Sequence, residues 1–423
     1  MFRLVSRAAG ACLIACATAS AWTAEPAAAQ AELTLADALR AASANNPALR
    51  SVPFELQALE GRRQQAAVRP NPELGLELEN LAGSGDLSGT DALESTLALS
   101  QLIELGGKRD ARVALAAGEY DLLQADLAIR RLEVQAEVAR RFLAVVSDQH
   151  RLTLARRTAG LATDVHSGVQ KRVHAARSPI AEASRANIAR IRASLDVIDA
   201  ERRLESSRYA LAAAWGANQP DFGTARADLL RFPAVEEFAA LSEKLEQNPD
   251  QLRYLSEQRM REAEIRLAQA TRTPDITFGA GVRGFEGTGD NALVLSFSIP
   301  LPLANRNAGA IAESQARLGL LPYERQAALL AVRTRLFALH QQLGQARTVA
   351  TALDAELVPQ ARAALEQTRA GFDRGRFGYL EVAEAQRELL DLELARIEAA
   401  TSFHLVLIEI ERLTSQPLTI STP

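Results

Sequence analysis

After residue 16 the chain contains no cysteine; its only two, Cys12 and Cys16, lie close to the N-terminus. The body of the protein therefore offers neither a disulfide nor a thiolate site. Apart from Met1 the only methionine is Met260, which excludes a thioether relay for soft metal ions. The five histidines (His150, His166, His174, His340 and His404) show no zinc-type spacing. His166 and His174 would lie roughly 12 Å apart along a helix, too far to share one ion. Aromatic residues make up 5% of the chain, few for a set of compact cores but sufficient for helix pairs packed through Ala and Leu. Charge of one sign is also missing: 48 basic residues face 52 acidic ones, and Arg alternates with Glu and Asp along helices, so no nucleic-acid partner is expected. Gly83-Ser84-Gly85 precedes no helix at the needed spacing. Gly106-Gly107-Lys108 lacks the preceding glycine and following Ser/Thr of a phosphate loop. No Ser/His/Asp arrangement has spacing support, so neither a catalytic site, a cofactor nor a resident metal is expected, and the protein does not read as an enzyme.

The first residues read as an export signal. MFRLVSR carries two arginines, AAGACLIACATASA is apolar but too short to span a bilayer, and Ala29-Gln30-Ala31 offers a cleavage site, giving a signal segment over 1–31. Leu13-Ile14-Ala15-Cys16 also resembles a lipoprotein box, which would leave Cys16 acylated at a new N-terminus. Both readings export the chain. No later run reaches the roughly 18 apolar residues of a membrane-spanning helix, so any crossing must be made by strands in a closed barrel.

What the sequence does contain, it contains twice. Asn46-Pro47 recurs as Asn248-Pro249, and Pro72 as Pro274, both 202 positions on. The stretch AVRPNPELGLELEN from Ala67 is echoed by ATRTPDITFGAGVR from Ala270, and LALSQLIELGGKR from Leu97 by LVLSFSIPLPLANR from Leu293. VHAARSPIAEA from Val173 faces FDRGRFGYLEV from Phe372 at an offset of 199. The body is thus a tandem duplication: a first repeat over 32–216, a connecting segment over 217–247, a second repeat over 248–415 and a tail over 416–423.

Each half reads as a helix, two strands, a very long helix, a sharp break and a return helix. Strands are expected at about 72–82, 93–103, 274–284 and 292–301, because apolar residues there fall at every second position. Leu74, Leu76 and Leu78 oppose Glu77 and Glu79; Phe278, Ala280 and Val282 oppose Gly279, Gly281 and Arg283. A soluble sandwich edge would show the same alternation, but the polar face of Glu, Arg and Gly favours a water-filled barrel. Four strands cannot close a barrel that spans a membrane, and open edges are untenable in lipid, so several copies must pool their strands. Helical hairpins are expected at about 108–216 and 308–413, the second interrupted around Pro322 and Pro359. A Pro-free helix from Arg109 to Arg172 would be on the order of 100 Å long. The apolar stripe opposite Arg, Glu and Gln suggests antiparallel coiled-coil packing.

With its export signal, its duplication and two hairpins per half between long helices, the chain resembles the TolC-like outer membrane efflux family. The resemblance covers Leu33 to Ser415 and rests on LTLADALRAASANNP, RPNPELGLELEN, SQLIELGGKRDAR and FDRGRFGYLEVAEAQ. NPELGLELEN with ELGGKR looks most like the branch containing the outer membrane component of cobalt–zinc–cadmium resistance systems. The resemblance implies a mainly α fold with a small β part. It further implies a homotrimer in which each protomer gives four strands to a shared barrel in outer-membrane lipid and long helices to a periplasmic tunnel. The breaks around Ala176, Arg177, Ser178 and Pro179 and around Gly375, Arg376, Phe377 and Gly378 would be tips that dock on a periplasmic adaptor (membrane fusion) protein. Gly375 matches the family's turn glycine, whereas Ala176 stands in the equivalent place of the first tip. Glu381 and Glu384 fall where the family carries an acidic ring at the closed entrance; the alternative is a solvated helix face. Phe372 and Phe377 replace the family's latch residues, leaving Arg374 or Arg376 to supply closing contacts.

The expected function is an outer-membrane channel subunit of a tripartite efflux system, driven by an inner-membrane RND-type pump and passing divalent heavy-metal cations. Drugs or other organic toxicants are the alternative cargo. A periplasmic coiled-coil adaptor or tether is the alternative of another class.

Overall fold

The computed structural model describes residues 32–420, so the export signal and Cys16 lie outside the described residues. A short helix α1 (Leu35–Asn45) is followed by α2 (Pro47–Arg50) and α3 (Val52–Ala67), then a hairpin of β1 (Glu73–Glu79) and β2 (Glu94–Ile103). The 67-residue α4 (Lys108–His174) descends, and α5 (Ile180–Ala213) returns. A connecting segment carrying α6 (Phe238–Lys244) leads into the second half. There α7 (Pro249–Thr271), β3 (Ile276–Phe285), β4 (Asn291–Ser298), α8 (Ala308–Ala352), α9 (Val358–Asp373) and α10 (Tyr379–Leu413) repeat the plan. At 1.5 Å per residue α4 spans about 100 Å. Among the described residues no helix is long and apolar enough to cross a membrane.

The element ends differ from the sequence expectation where backbone chemistry intervenes. The first strand stops at Glu79 because Asn80 and Ala82 take left-handed backbone, with φ of 60° and 56°. The fourth stops at Ser298, before Pro300 and Pro302, neither of which has an N–H to give a ladder. Pro322 does not interrupt its helix; α8 runs through it. Pro359 does leave a mark: a π turn over Leu353–Leu357 precedes α9, where the proline sits in the first turn and needs no donor.

The apolar core lies where the two halves meet. Ala38 and Ala42 of α1, Ala139, Phe142, Leu143 and Val146 of α4, Leu211 of α5 and Ala400 and Ile408 of α10 form one buried cluster. Leu241 of α6, Leu336 and Leu343 of α8 and Phe403 and Ile410 of α10 form a second. Alanine on the facing helices allows the close approach that long straight helices need.

The repeated Asn-Pro pair has a definite task. Asn46 Oδ1 accepts from the Ala48 and Leu49 N–H groups at 2.9 and 3.3 Å, capping α2, while its Nδ2 donates to the Ala214 carbonyl at 2.7 Å. Asn248 does the same 202 residues later: Oδ1 accepts from Asp250 N–H at 2.8 Å and Nδ2 donates to the Leu413 carbonyl. Each asparagine therefore satisfies a free donor at one helix start and a free acceptor at the end of its own return helix. Proline follows because the first helical position has no N–H to place.

Beyond Leu413 the chain folds back so that Thr419 donates to Glu411 through both its N–H, at 3.0 Å, and its hydroxyl. Burial pushes the Glu411 carboxyl up to about 7 from its ordinary 4.5.

Replacing Asn248 with Ala removes a cap and strands the 2%-exposed site's carbonyl partner, and is expected to cost about 2–4 kcal/mol, read as a lowered thermal midpoint in detergent. For Glu411 the folded state holds a proton that the unfolded chain releases, so this contribution is complete below about pH 4.5 and is lost as pH rises through about 7. The midpoint should thus fall between pH 5 and 8 in the native protein, and Glu411→Gln should flatten that slope.

Candidate functional site

Three places combine exposure, charge and shape: the sheet, its hinge to the helices and the hairpin tips. The four strands form one antiparallel sheet in the order β1-β2-β3-β4. Its register sets Leu74 beside Leu99, Leu99 beside Ala280, and Ala280 beside Leu295. The next row is Leu76, Leu97, Val282 and Leu293. This whole face is apolar and open to the surroundings, with Leu74 71% and Leu293 73% exposed. The opposite face carries Glu73, Glu77, Glu79, Glu94, Thr96, Gly279, Gly281, Arg283 and Ser296, and there Thr96 is only 5% exposed. The polar face is also the crowded one: a Cβ on Gly281 would sit 2.5 Å from the Leu97 carbonyl oxygen and 2.7 Å from the Ala98 Cβ. An exposed leucine face opposite a crowded polar one reverses the arrangement of a water-soluble sheet.

The segment ELGGKRDAR makes the hinge below the sheet. Asp275, just before β3, accepts from Lys108 Nζ at 2.6 Å and from Leu105 N–H at 3.0 Å, tying the end of the first hairpin to the start of the second. Glu104 pairs with Arg112 through both guanidinium nitrogens. Arg109 donates to the Ala67 carbonyl at 2.8 Å, closing the end of α3; in the other half Asn307 closes α7 by donating to the Ala268 carbonyl, also at 2.8 Å. In the sequence this segment served only as a mark of the family resemblance, with Gly106-Gly107-Lys108 set aside as a phosphate loop. The signal for more lay in its dense alternation of charges around two glycines.

The tips share one backbone motif although only Arg177 and Arg376 match among their four residues. Ala176 and Gly375 both take left-handed backbone, at φ 55° and 76°. The Ala176 N–H donates to Val173 and the Arg177 N–H to Arg172; the Gly375 N–H donates to Phe372 and the Arg376 N–H to Gly371. Both turns are thus the same helix-ending motif, one run on alanine at a strain of about 1–2 kcal/mol. Ala176, Arg177 and Pro179 are exposed with Ser178 half-buried, and Gly375, Arg376 and Phe377 are exposed with Gly378 half-buried. The two tips are joined by Arg172, which the sequence reading missed. It donates to the Phe372 and Phe377 carbonyls at 2.9 and 3.2 Å, and its guanidinium lies 4.4 Å from the Phe372 ring centroid. Phe372 and Tyr379 pack with Val165, Val169 and Val382 in a small core of their own. Arg374 and Arg376 enter no ion pair among the described residues. The Phe377 ring lies directly over Gly371, where a Cβ would overlap it.

Glu381 Oε2 accepts from the Gly378 N–H at 3.1 Å and so caps the first turn of α10; Glu384, one turn on, is exposed on the same side of the helix.

Known proteins share this arrangement. The model of the Outer membrane efflux protein family matches residues 38–217 and 240–415, one copy per half. The chain is 31% identical over 362 residues to the cobalt-zinc-cadmium resistance protein CzcC of Cupriavidus metallidurans, an alignment spanning 86% of this chain and 85% of that protein. Among solved structures, a membrane protein from Pseudomonas aeruginosa superposes with a TM-score of 0.76 at 20% identity, covering 90% of this chain and 92% of that one. The CusC channel superposes at 0.71 with 17% identity, covering 92% and 94%.

Ala176→Gly should raise the thermal midpoint by an amount worth about 0.5–1 kcal/mol, because the strain is relieved at some entropic cost. Gly371→Ala should lower it by about 1–3 kcal/mol and expose the second tip to limited proteolysis as Phe377 is displaced.

With matching architecture in both halves and a family model that covers most of its length, the chain belongs to the outer membrane efflux protein family.

Proposed function

We propose that the protein is the outer-membrane channel subunit of a tripartite efflux system and that its cargo is a divalent heavy-metal cation. One observation supports the channel most strongly: a sheet with an exposed apolar face, a polar face opposite, and unpaired strands β1 and β4 at its two edges. Three copies would supply twelve strands, more than the roughly eight that the smallest membrane barrels need. The helices carry matching unpartnered faces. Ile188, Ile191, Leu195 and Ile198 are exposed along α5, and Leu320, Tyr323, Leu330 and Phe337 along α8. These stripes would pair between neighbouring protomers and extend the barrel as a tunnel of about 100 Å, the length of α4.

The tips at Ala176–Pro179 and Gly375–Gly378 would meet a periplasmic adaptor, through which an inner-membrane pump supplies the energy. Glu381 and Glu384 of three copies would bring six carboxylates together near that entrance and favour cations there. Duct transport needs no bond-making group, so the protein is read as having no catalytic role. The metal cargo is supported by the similarity to CzcC, whose name records cobalt, zinc and cadmium resistance.

The purified protein should form a detergent-stable trimer that conducts ions across a planar bilayer; a detergent-independent monomer without conductance would overturn the channel. Deleting the gene should sensitise cells to zinc, cobalt or cadmium. Unchanged metal tolerance with new sensitivity to organic toxicants would reassign the cargo.

A further inference from the structure

Beginning beside the tips, α5 and α10 each pack on α4, and between them opens a cavity of about 750 Å³. Ligand sites in proteins typically measure roughly 300–1,000 Å³. Much of the wall is apolar, with Leu154 and Leu161 of α4, Ile188 of α5, and Leu380 and Leu390 of α10. Its charges are unevenly matched. Five arginines stand against two carboxylates, a surplus of three positive charges in a chain of formal net charge −4. Arg362 of α9 engages Glu393 through Nε, at 3.1 Å, and Nη2. The other four arginines, Arg157 of α4, Arg185 and Arg192 of α5 and Arg387 of α10, enter no ion pair among the described residues. Arg185 and Arg192 are seven residues apart, two turns along one face of α5.

The uncharged polar groups on this wall carry the same preference. Gln386 Nε2 is buried and has no hydrogen-bond partner, a costly state for a donor that an acceptor in the cavity would relieve. The Tyr379 hydroxyl senses arginines of both α5 and α10: burial holds its pKa above the ordinary 10, while Arg185 and Arg387 draw it down. Leucines below guanidinium and amide donors suit a molecule with an apolar body and an anionic head. Three turns of a partner's helix, about 16 Å long and 10 Å across, would need roughly 1,300 Å³, so the cavity fits a small molecule better. We propose that it binds a compact apolar organic anion, a hydrophobic carboxylate or sulfonate whose head is held by Arg185, Arg192 and Arg387. Such a guest bonds α5 to α10 and ties the two hairpins together beside the tips. The site belongs to the helical wall and is independent of the cargo that the duct carries.

The test is isothermal titration calorimetry of the full-length assembled protein in non-ionic detergent, with naphthalenesulfonate as the anionic probe and naphthylmethylammonium as the cationic one. The sulfonate should bind once per protomer and the ammonium at least roughly tenfold more weakly. Arg185→Gln combined with Arg387→Gln should weaken sulfonate binding at least roughly tenfold. Ala189→Phe, which fills the cavity and keeps every arginine, should weaken it as much. No sulfonate binding to the native protein, equal binding of the two probes, or native affinity in the double variant would overturn the inference. So would native affinity in Ala189→Phe, since the anion would then rest on exposed guanidiniums rather than in the cavity. An acidic amphipathic peptide that binds through these arginines where the sulfonate fails would likewise overturn it and assign the groove to a protein partner. Should the double variant not assemble, Arg192→Gln replaces it; severalfold weaker binding is expected, and native affinity overturns the inference.

Discussion

Peptide N–H and C=O groups must find partners wherever water is excluded, and this requirement governs the molecule from end to end. The sheet meets it internally along β2 and β3 but leaves one side of β1 and of β4 open. With an apolar face turned outward, those edges are tolerable in lipid only if another copy pairs with them. The same requirement is met by single side chains at the helix ends. Asn46 and Asn248 reach the return helices, and Arg109 and Asn307 close the helices that climb to the sheet. Long helices tolerate few breaks because each break creates four such unpaired groups on either side; Asn46, Asn248 and Glu381 supply partners at three helix starts.

Charge is distributed by a second logic. Along the helices, arginines and carboxylates pair locally at the surface, where each pair contributes little. In the hinge they are organised: Asp275 binds the ends of two hairpins that are far apart in sequence, and Lys108 is only 11% exposed beside it. The strand face leaves acids in excess, two of them paired with Arg283, while beyond the second tip Glu381 caps a helix.

The fold was legible because its signals are periodic. Alternating leucines named the strands and a Pro-free amphipathic stretch named α4, while the Asn-Pro pairs exposed the duplication. What the sequence could not convey depends on distances across the chain. Nothing in the neighbourhood of Arg172 announces that it would bridge to Phe372 and Phe377, 200 and 205 residues away. Pro322 read as a break, yet a helix packed on its neighbours absorbs one missing hydrogen bond. Ala176 read as a departure from the turn glycine, yet the surrounding hydrogen bonds impose the same left-handed backbone on it. His404, one of five histidines weighed for metal binding, is fully buried, with its Nε2 at 3.0 Å from the Leu229 carbonyl, and serves packing.

The two asparagine clasps also bear on how the chain reaches this state. Asn46 touches a residue 168 positions away and Asn248 one 165 away, so each closes a loop embracing nearly its whole repeat. Contacts of such separation form only after the entropy of loop closure has been overcome, whereas the hairpins α4–α5 and α9–α10 assemble from neighbouring turns. The clasps are therefore expected to close late in folding. Their loss should speed the opening of each half while leaving its rate of formation nearly unchanged, which makes them determinants of how long the folded chain persists.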